Sequence, residues 1–153
     1  MKKIQIYLIS LIVLVFALNY YHVIQQGTYR DVFIPMAESL IEDGVLANHF
    51  FPSGGATYPL WGYVFLILPD VIFGTKDLIL LFFQLIACFF GIQIFYKTFD
   101  LERKLWHLSL LLPFIALMST RMPDAPAGFL LLLYVYNLKK FFDDGKSKYI
   151  IFA

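Results

Sequence analysis

Charge and cysteine are both scarce in this sequence. Charged residues make up 15% of the 153 residues and the formal net charge is +1, so the sequence lacks the basic excess of a nucleic-acid-binding protein. The single cysteine, Cys88, excludes an internal disulfide and leaves the redox compartment open. Internal repeats and low-complexity tracts are absent as well. Nucleic acid is therefore not among the expected partners.

Apolar residues are abundant instead. The chain is 60% hydrophobic, with 17 Phe and 10 Tyr, and its mean hydropathy is +0.73. Several apolar runs approach the ~20 residues that a transmembrane helix needs. Continuous runs of this kind predict helices that cross a membrane. We therefore expect an all-α, polytopic integral membrane protein.

The first apolar run, residues 4–24, follows Lys2 and Lys3. A charged start before an apolar run is also typical of a signal peptide, but this run is too long for a typical signal core. No small-residue cleavage site follows it. We interpret it as a retained first span.

The lysines and arginines indicate which later segments cross, because cytoplasmic loops hold most of them. If segment 58–73 crosses, four of the 12 are inside; if it stays on the outer side, nine are inside. The segment also contains Pro69 and Asp70 and falls short of the ~20 residues needed to cross. We therefore predict one membrane domain, residues 1–153, with a cytoplasmic N-terminus and about four full spans. Its parts are span 1 (4–24), an outer loop with surface helices (25–77), span 2 (78–96), span 3 (101–118), outer loop 2 (119–126), span 4 (127–142) and the start of a truncated fifth span (149–153).

The long outer loop begins with an acidic amphipathic segment. Apolar residues from Val32 to Ile41 recur at helical spacing, while the acids fall on another face, and Gly44 is a natural end for the helix. A second surface helix is predicted to open at Tyr58. Asp31 has two interpretations: an N-cap of the first surface helix, or a catalytic carboxylate above the outer end of span 1. The sequence leaves both open.

Three further residues are candidates for ligand binding. His49 lies in the outer loop, where it is either a metal or phosphate ligand or an ordinary loop histidine. Arg121 and Asp124 lie together in outer loop 2. They form either a solvated turn, with Asp124 capping the next helix, or a site in which Arg121 binds a lipid or ligand phosphate.

The order of these features resembles the N-terminal part of the integral-membrane glycosyltransferases with a GT-C fold. This superfamily includes protein mannosyltransferases and the aminoarabinose and mannose transferases of bacterial envelopes. The resemblance covers roughly residues 4–153 and consists of short, degenerate motifs. They are the acid after span 1, Ala37-x-x-Leu40-x-x-x-Gly44, Tyr58-Pro59, Gly74, Pro113 and Arg121-x-Pro123-Asp124.

The resemblance implies transfer of a sugar from a polyprenyl-phosphate-linked donor to an acceptor at the outer face of a bacterial inner membrane, in polysaccharide or glycolipid biosynthesis of the cell envelope. Asp31 would be the general base or a metal ligand, Arg121 would contact the donor phosphate, and Asp124 would contact the acceptor or a metal. Tyr58 and His49 are further candidates for substrate or donor binding. A divalent metal, Mg²⁺ or Mn²⁺, would be the cofactor. Many members carry two adjacent acids where this chain has Arg30-Asp31.

Members of that superfamily are much longer. The chain is therefore expected to be incomplete and inactive alone, or to need a membrane-protein partner. The alternative is a non-catalytic membrane assembly or scaffold subunit, in which the acids are helix caps and surface charge. A transporter fragment is a third alternative. The sequence argues against it, because no complete predicted span carries a charge at its middle, where substrate or ion pathways usually have one.

Overall fold

The computed structural model describes residues 2–22, 29–46, 61–102, 104 and 106–145. Helices hold 83% of these described residues, which include no strand, so the predicted all-α class is confirmed. The α-helices are α1 (Lys2–His22), α2 (Ile34–Glu42), α3 (Trp61–Phe73), α4 (Leu78–Thr98), α5 (His107–Met118) and α6 (Asp124–Asp144), and a π-helical turn, Tyr29–Phe33, directly precedes α2.

Two of these helices are long and apolar enough to cross a membrane. The stretches that qualify are Lys3–Tyr20 in α1 and Leu78–Thr98, which is the whole of α4. Shorter apolar helices are Gly62–Phe73 and Ser109–Met118. Since α5 begins only at His107, it is shorter than the segment predicted as span 3. By contrast, α6 extends beyond both ends of the segment predicted as span 4.

The chain divides into two compact units. The first unit comprises Met1–Tyr21, Gln84–Thr120 and Asp124–Ala153, and the second comprises His22–Phe83 and Arg121–Pro123. The second unit therefore joins the segment between α1 and α4 to three residues of the turn between α5 and α6.

The core of the first unit is built from stripes of residues that repeat about every four positions, the spacing that places side chains on one helix face. In α1 the stripe is Leu8, Ile12 and Phe16. The corresponding buried residues are Cys88, Ile92 and Tyr96 in α4, and Leu111, Ile115 and Met118 in α5. Each helix thus buries one face within the unit.

Helix packing in the first unit depends on a glycine. A Cβ atom at Gly91 of α4 would lie 2.9 Å from Cζ of Phe114 in α5 and 3.4 Å from Cδ2 of Phe129 in α6. Small residues allow this close approach between helices, as in many helix bundles of membranes.

The opposite faces of α1 and α4 are apolar as well. Val13 and Leu14 of α1 are 52% and 55% exposed, and Phe82 and Phe90 of α4 are 59% and 55% exposed. Water-soluble proteins rarely leave contiguous apolar faces of this kind uncovered. The pattern fits helices whose outer faces contact lipid.

The second unit has its own core, where α2 packs against α3. Phe33, Met36 and Ala37 are fully buried against Val64 and Ile67 of α3. Burying an apolar side chain as large as Phe or Met contributes about 1.5–3 kcal/mol. The ring of Phe33 meets that of Tyr63 edge to face, with centroids 4.9 Å apart.

The other face of α2 is acidic and exposed, as the sequence predicted for an amphipathic helix. Glu38, Glu42 and Asp43 are exposed, whereas Ser39 turns inward and its hydroxyl donates to the carbonyl of Val45 at 2.9 Å. Gly44 follows the helix with φ +68°, a left-handed conformation that glycine adopts without steric cost. The predicted end of the helix is confirmed.

Candidate functional site

The candidate site lies at the corner between α3 and α4, in the second unit. Asp70, on the last turns of α3, is 4% exposed. Its carboxylate accepts the backbone N–H of Ile79 at 2.9 Å and that of Leu80 at 2.7 Å, and it also accepts the hydroxyl of Thr75. These N–H groups belong to the first turn of α4, which has no intrahelical acceptors for them. Asp70 therefore caps α4 from the preceding helix.

The negative charge of Asp70 also complements the partial positive charge at the N-terminus of α4. The first turn of a helix carries a partial positive charge, so a carboxylate there is electrostatically favourable. The sequence suggested only that Asp70 interrupts an apolar segment. In the structure it connects α3 rigidly to α4 across the turn at Gly74–Asp77.

A buried ion pair lies beside this cap. Nε of Arg121 is 2.7 Å from Oδ2 of Asp77, and the two side chains are only 7% and 11% exposed. Asp77 adopts φ +71°, a left-handed conformation that aspartate tolerates better than most residues. The pair joins the turn between α5 and α6 to the corner between α3 and α4. The sequence indicates Arg121 as a candidate but does not indicate that Asp77 is its partner.

Tyr63 lies in the field of the same charges. Its side chain is 4% exposed. Burial raises the pKa of its hydroxyl above the ordinary value of 10.0, the negative charges of Asp77 and Asp70 raise it further, and Arg121 opposes them. The phenol of Tyr63 is therefore neutral at physiological pH. Together Tyr63, Asp70, Asp77 and Arg121 form what we call the corner cluster.

Asp31, the predicted catalytic carboxylate, lies in the π-helical turn that precedes α2. Its side chain is half-buried, and the next two residues, Val32 and Phe33, are buried in the core of the second unit. The interpretation of Asp31 as the N-cap of α2 is wrong, because Phe33 occupies that position and makes no side-chain capping bond. The residues before α2 form a π turn, with i→i+5 hydrogen bonds, instead of the non-helical backbone of a regular N-cap.

Asp124 is the first residue of α6 and its side chain is exposed. It belongs to the first unit, whereas Asp31 and Arg121 belong to the second. Its negative charge complements the partial positive charge at the N-terminus of α6. His49 and Tyr58 lie outside the described residues, as does the start of the predicted fifth span at 149–153.

The described part of the chain contains no cluster of metal ligands. No group of three or more His, Cys, Asp or Glu side chains there could hold a metal ion. Comparison of the chain with protein-family models, with curated proteins and with solved structures gives no match.

Proposed function

We propose that the chain is an integral membrane protein in which α1, α4, α5 and α6 cross, while α2 and α3 remain on the outer side. The exposed apolar faces of α1 and α4 support membrane insertion. The excess of lysine and arginine in the proposed inner segments supports a cytoplasmic N-terminus in a bacterial inner membrane.

A hydrogen bond within the first unit supports the number of crossings. The side-chain amide of Asn19, near the end of α1, donates to the hydroxyl of Ser119, just after α5. Two groups in direct contact lie on the same side of a membrane, so the chain crosses an even number of times between them. The crossings of α4 and α5 alone satisfy this condition. A third crossing by α3 would place Asn19 and Ser119 on opposite sides.

The packing of α3 supports the same topology. Its 13 residues reach only about 20 Å at 1.5 Å per residue, whereas the hydrocarbon core is about 30 Å thick. It also packs along α2, whose exposed face carries Glu38, Glu42 and Asp43. Placing three carboxylates in hydrocarbon would cost several kcal/mol, so both helices fit the membrane surface.

On this framework we propose the N-terminal part of a GT-C-type glycosyltransferase that uses a polyprenyl-phosphate-linked sugar. An acceptor hydroxyl oxygen would attack the anomeric carbon, Asp31 would take the hydroxyl proton, and the bond between the sugar and the phosphate oxygen would break. Polyprenyl phosphate would then leave with the bonding electron pair. Such a reaction needs a positioned base and cationic stabilisation of the leaving phosphate.

The observation that carries this proposal is the π-helical turn at Asp31. π turns are rare, and those that occur are frequently found at functional sites. Here the turn holds a half-buried carboxylate immediately before the buried residues Val32 and Phe33. A base that must meet a lipid-linked donor needs such rigid support at the membrane surface.

Arg121 is the proposed contact to the donor phosphate. A guanidinium presents five N–H donors in a fixed planar fork, and the ion pair with Asp77 holds that of Arg121 beside the corner between α3 and α4. Asp77 thus has a positioning role. Asp124 is the proposed contact to the acceptor or to a Mg²⁺ or Mn²⁺ ion, with His49 and Tyr58 as further binding residues.

The burial of Arg121 favours a second candidate, a non-catalytic membrane assembly or scaffold subunit. A cation that is 6% exposed and paired with a buried carboxylate is also what a purely structural ion pair requires. In this account the corner cluster holds the outer segments together, and the protein assembles with a membrane-protein partner through other residues.

Sugar transfer by the product of the native gene separates the two candidates. Membranes that contain it would be incubated with radiolabelled polyprenyl-phosphate-linked mannose or aminoarabinose, and both transfer and protein level would be measured. The enzyme proposal expects Asp31→Asn to abolish transfer at an unchanged protein level. Glu38→Gln, which alters an exposed carboxylate of α2, is the matched control and should leave transfer intact. Full transfer by Asp31→Asn would remove Asp31 from the mechanism.

A further inference from the structure

A long groove runs through the first unit, at the end of α4 that the proposed topology places inside. Its apolar part has a volume of about 340 Å³ and is lined by Phe95, Phe114, Leu131 and Val135 among others. A second part of about 330 Å³ is lined by Glu102, Lys104, Trp106 and His107 among others. Phe95 and Leu110 line both parts, so the two parts adjoin at these side chains, and we refer to them together as the groove.

The groove changes character along its length. One part offers only apolar side chains, and the other, which we call the mouth, offers charged groups, an indole and an imidazole. A ligand that fits both has an apolar tail and a polar head. The volumes fall within the range of small-molecule sites, about 300–1,000 Å³ each.

Trp106 marks the mouth as an interfacial region. Its side chain is 60% exposed, although tryptophan is a large apolar residue. Tryptophans in membrane proteins concentrate at the level of the lipid headgroups, where the ring contacts lipid and the indole N–H meets a polar partner. The mouth therefore lies where a headgroup would be.

The described residues at the mouth carry charges of both signs. Lys139 donates to Asp100 at 2.7 Å and lies 3.3 Å from Asp143, so one cation is shared by two carboxylates. The hydrogen bond from Lys139 holds the pKa of Asp100 below its ordinary value, which keeps that carboxylate ionised at neutral pH. Glu102 adds a further exposed carboxylate and Lys104 an exposed ammonium.

This arrangement complements a zwitterion better than an anion. A headgroup phosphate would meet Lys104 and the indole N–H of Trp106. A headgroup cation would meet Glu102 and the solvent-facing side of the Asp100 carboxylate. A primary ammonium donates three hydrogen bonds, and a quaternary trimethylammonium donates none. A purely anionic headgroup would place its phosphate against Lys104 in the same way but would bring no cation to Glu102 and Asp100, whose charges would repel it.

We propose that this groove binds one phosphatidylethanolamine molecule, with an acyl chain along its apolar part and the phosphoethanolamine headgroup in the mouth. The site is separate from the corner cluster and needs no glycosyl transfer. It depends only on membrane insertion of the first unit.

Fluorescence of Trp106 tests the proposal. The chain has two tryptophans, so Trp61→Phe leaves Trp106 as the sole emitter. The full chain would be reconstituted in vesicles of phosphatidylcholine with brominated acyl chains, which quench tryptophan on contact. Unbrominated phosphatidylethanolamine, phosphatidylcholine or phosphatidylglycerol would then be titrated in, each over the same range of mole fractions. We expect phosphatidylethanolamine to relieve the quenching at an at least threefold lower mole fraction than the other two.

Glu102→Gln in the same background tests the proposed carboxylate contact. Its side chain is exposed, so the change should leave folding intact while it removes the preference for phosphatidylethanolamine. Glu38→Gln, on α2 in the other unit, is the matched control and should keep the preference. Equal relief by all three lipids, preference for phosphatidylglycerol, or an unchanged preference in Glu102→Gln would each overturn the proposal.

Discussion

Arg121 and Asp77 form a buried ion pair, with Nε of the arginine 2.7 Å from Oδ2 of the aspartate. They are distant in sequence, yet they bring the turn between α5 and α6 onto the corner between α3 and α4. Charges this deeply buried are stable only when paired, because each would otherwise lose its hydration without compensation. The pair therefore helps to link the two outer segments, and loss of either partner leaves a buried charge uncompensated.

Removal of one partner of this pair should destabilise the protein strongly. Asp77→Ala leaves the Arg121 charge buried without its carboxylate, and such changes cost about 3–5 kcal/mol of unfolding free energy. Asp77→Ala combined with Arg121→Leu should cost less than the sum of the two single changes. Unfolding in detergent by titration with a denaturing surfactant measures both effects. Asp143→Ala removes a carboxylate from Lys139 in an exposed pair and serves as the control with a much smaller expected loss.

Asp70→Asn should weaken the corner between α3 and α4. The amide keeps one oxygen acceptor, but its NH₂ group would face a backbone N–H of Ile79 or Leu80, two groups that both donate to the carboxylate now. Loss of a helix cap costs about 0.5–2 kcal/mol, and burial places this one near the upper end. Protection of the amides of Ile79 and Leu80 against hydrogen exchange should fall in the same variant. Unchanged protection would show that Asp70 does not hold the first turn of α4.

The phenol of Tyr63 should give the protein a specific sensitivity to alkali. Its pKa is raised in the folded protein above 10.0, so the stability that it contributes is complete below pH 10.0 and is lost as the pH rises through the folded-state pKa. The unfolding free energy of the wild type should therefore fall more steeply than that of Tyr63→Phe above that pH. Parallel pH profiles of the two proteins would contradict a raised pKa.

Gly91→Leu should disturb the packing of α4 against α5 and α6. A Cβ at this position is already crowded against the ring of Phe114 and in contact with that of Phe129, so a larger side chain would overlap them. Overpacking of this kind typically costs about 1–3 kcal/mol. Gly62→Leu on α3 is the control, since nothing lies within 4 Å of a Cβ at that position. Equal stability of the two variants would show that the glycine is not needed for close packing.

The features that sequence predicts well here are those that depend on local pattern. The apolar runs of α1 and α4 predict their helices, and the spacing of apolar residues in α2, closed by Gly44, predicts the amphipathic helix. The start of α5 was predicted too early. Leu101 donates its N–H back to Tyr96 at 3.1 Å and Asp100 adopts φ +50°, so the chain turns there, and apolar content alone does not reveal this.

The corner cluster could not be read from the sequence, because its contacts join distant residues. The topology predicted from the sequence puts Asp77 and Arg121 on the same side of the membrane, but only the structure shows that they form an ion pair. Asp70 carries a weak signal in retrospect: an acid shortly before a long apolar helix can cap it across a tight turn. The π turn at Asp31 has no known sequence signature and replaced the N-cap that its residue type suggested.

Sidedness of the turn between α3 and α4 tests the central claim most directly, because the proposed site exists only if α3 stays on the outer side. In a Cys88→Ala background, Lys76→Cys and Lys97→Cys each place one exposed thiol at an opposite end of α4. Our account predicts that a membrane-impermeant maleimide applied from outside labels Lys76→Cys in intact cells, and Lys97→Cys only after permeabilisation. The reverse pattern would place Lys76 on the cytoplasmic side and would contradict the proposed outer location of the corner between α3 and α4.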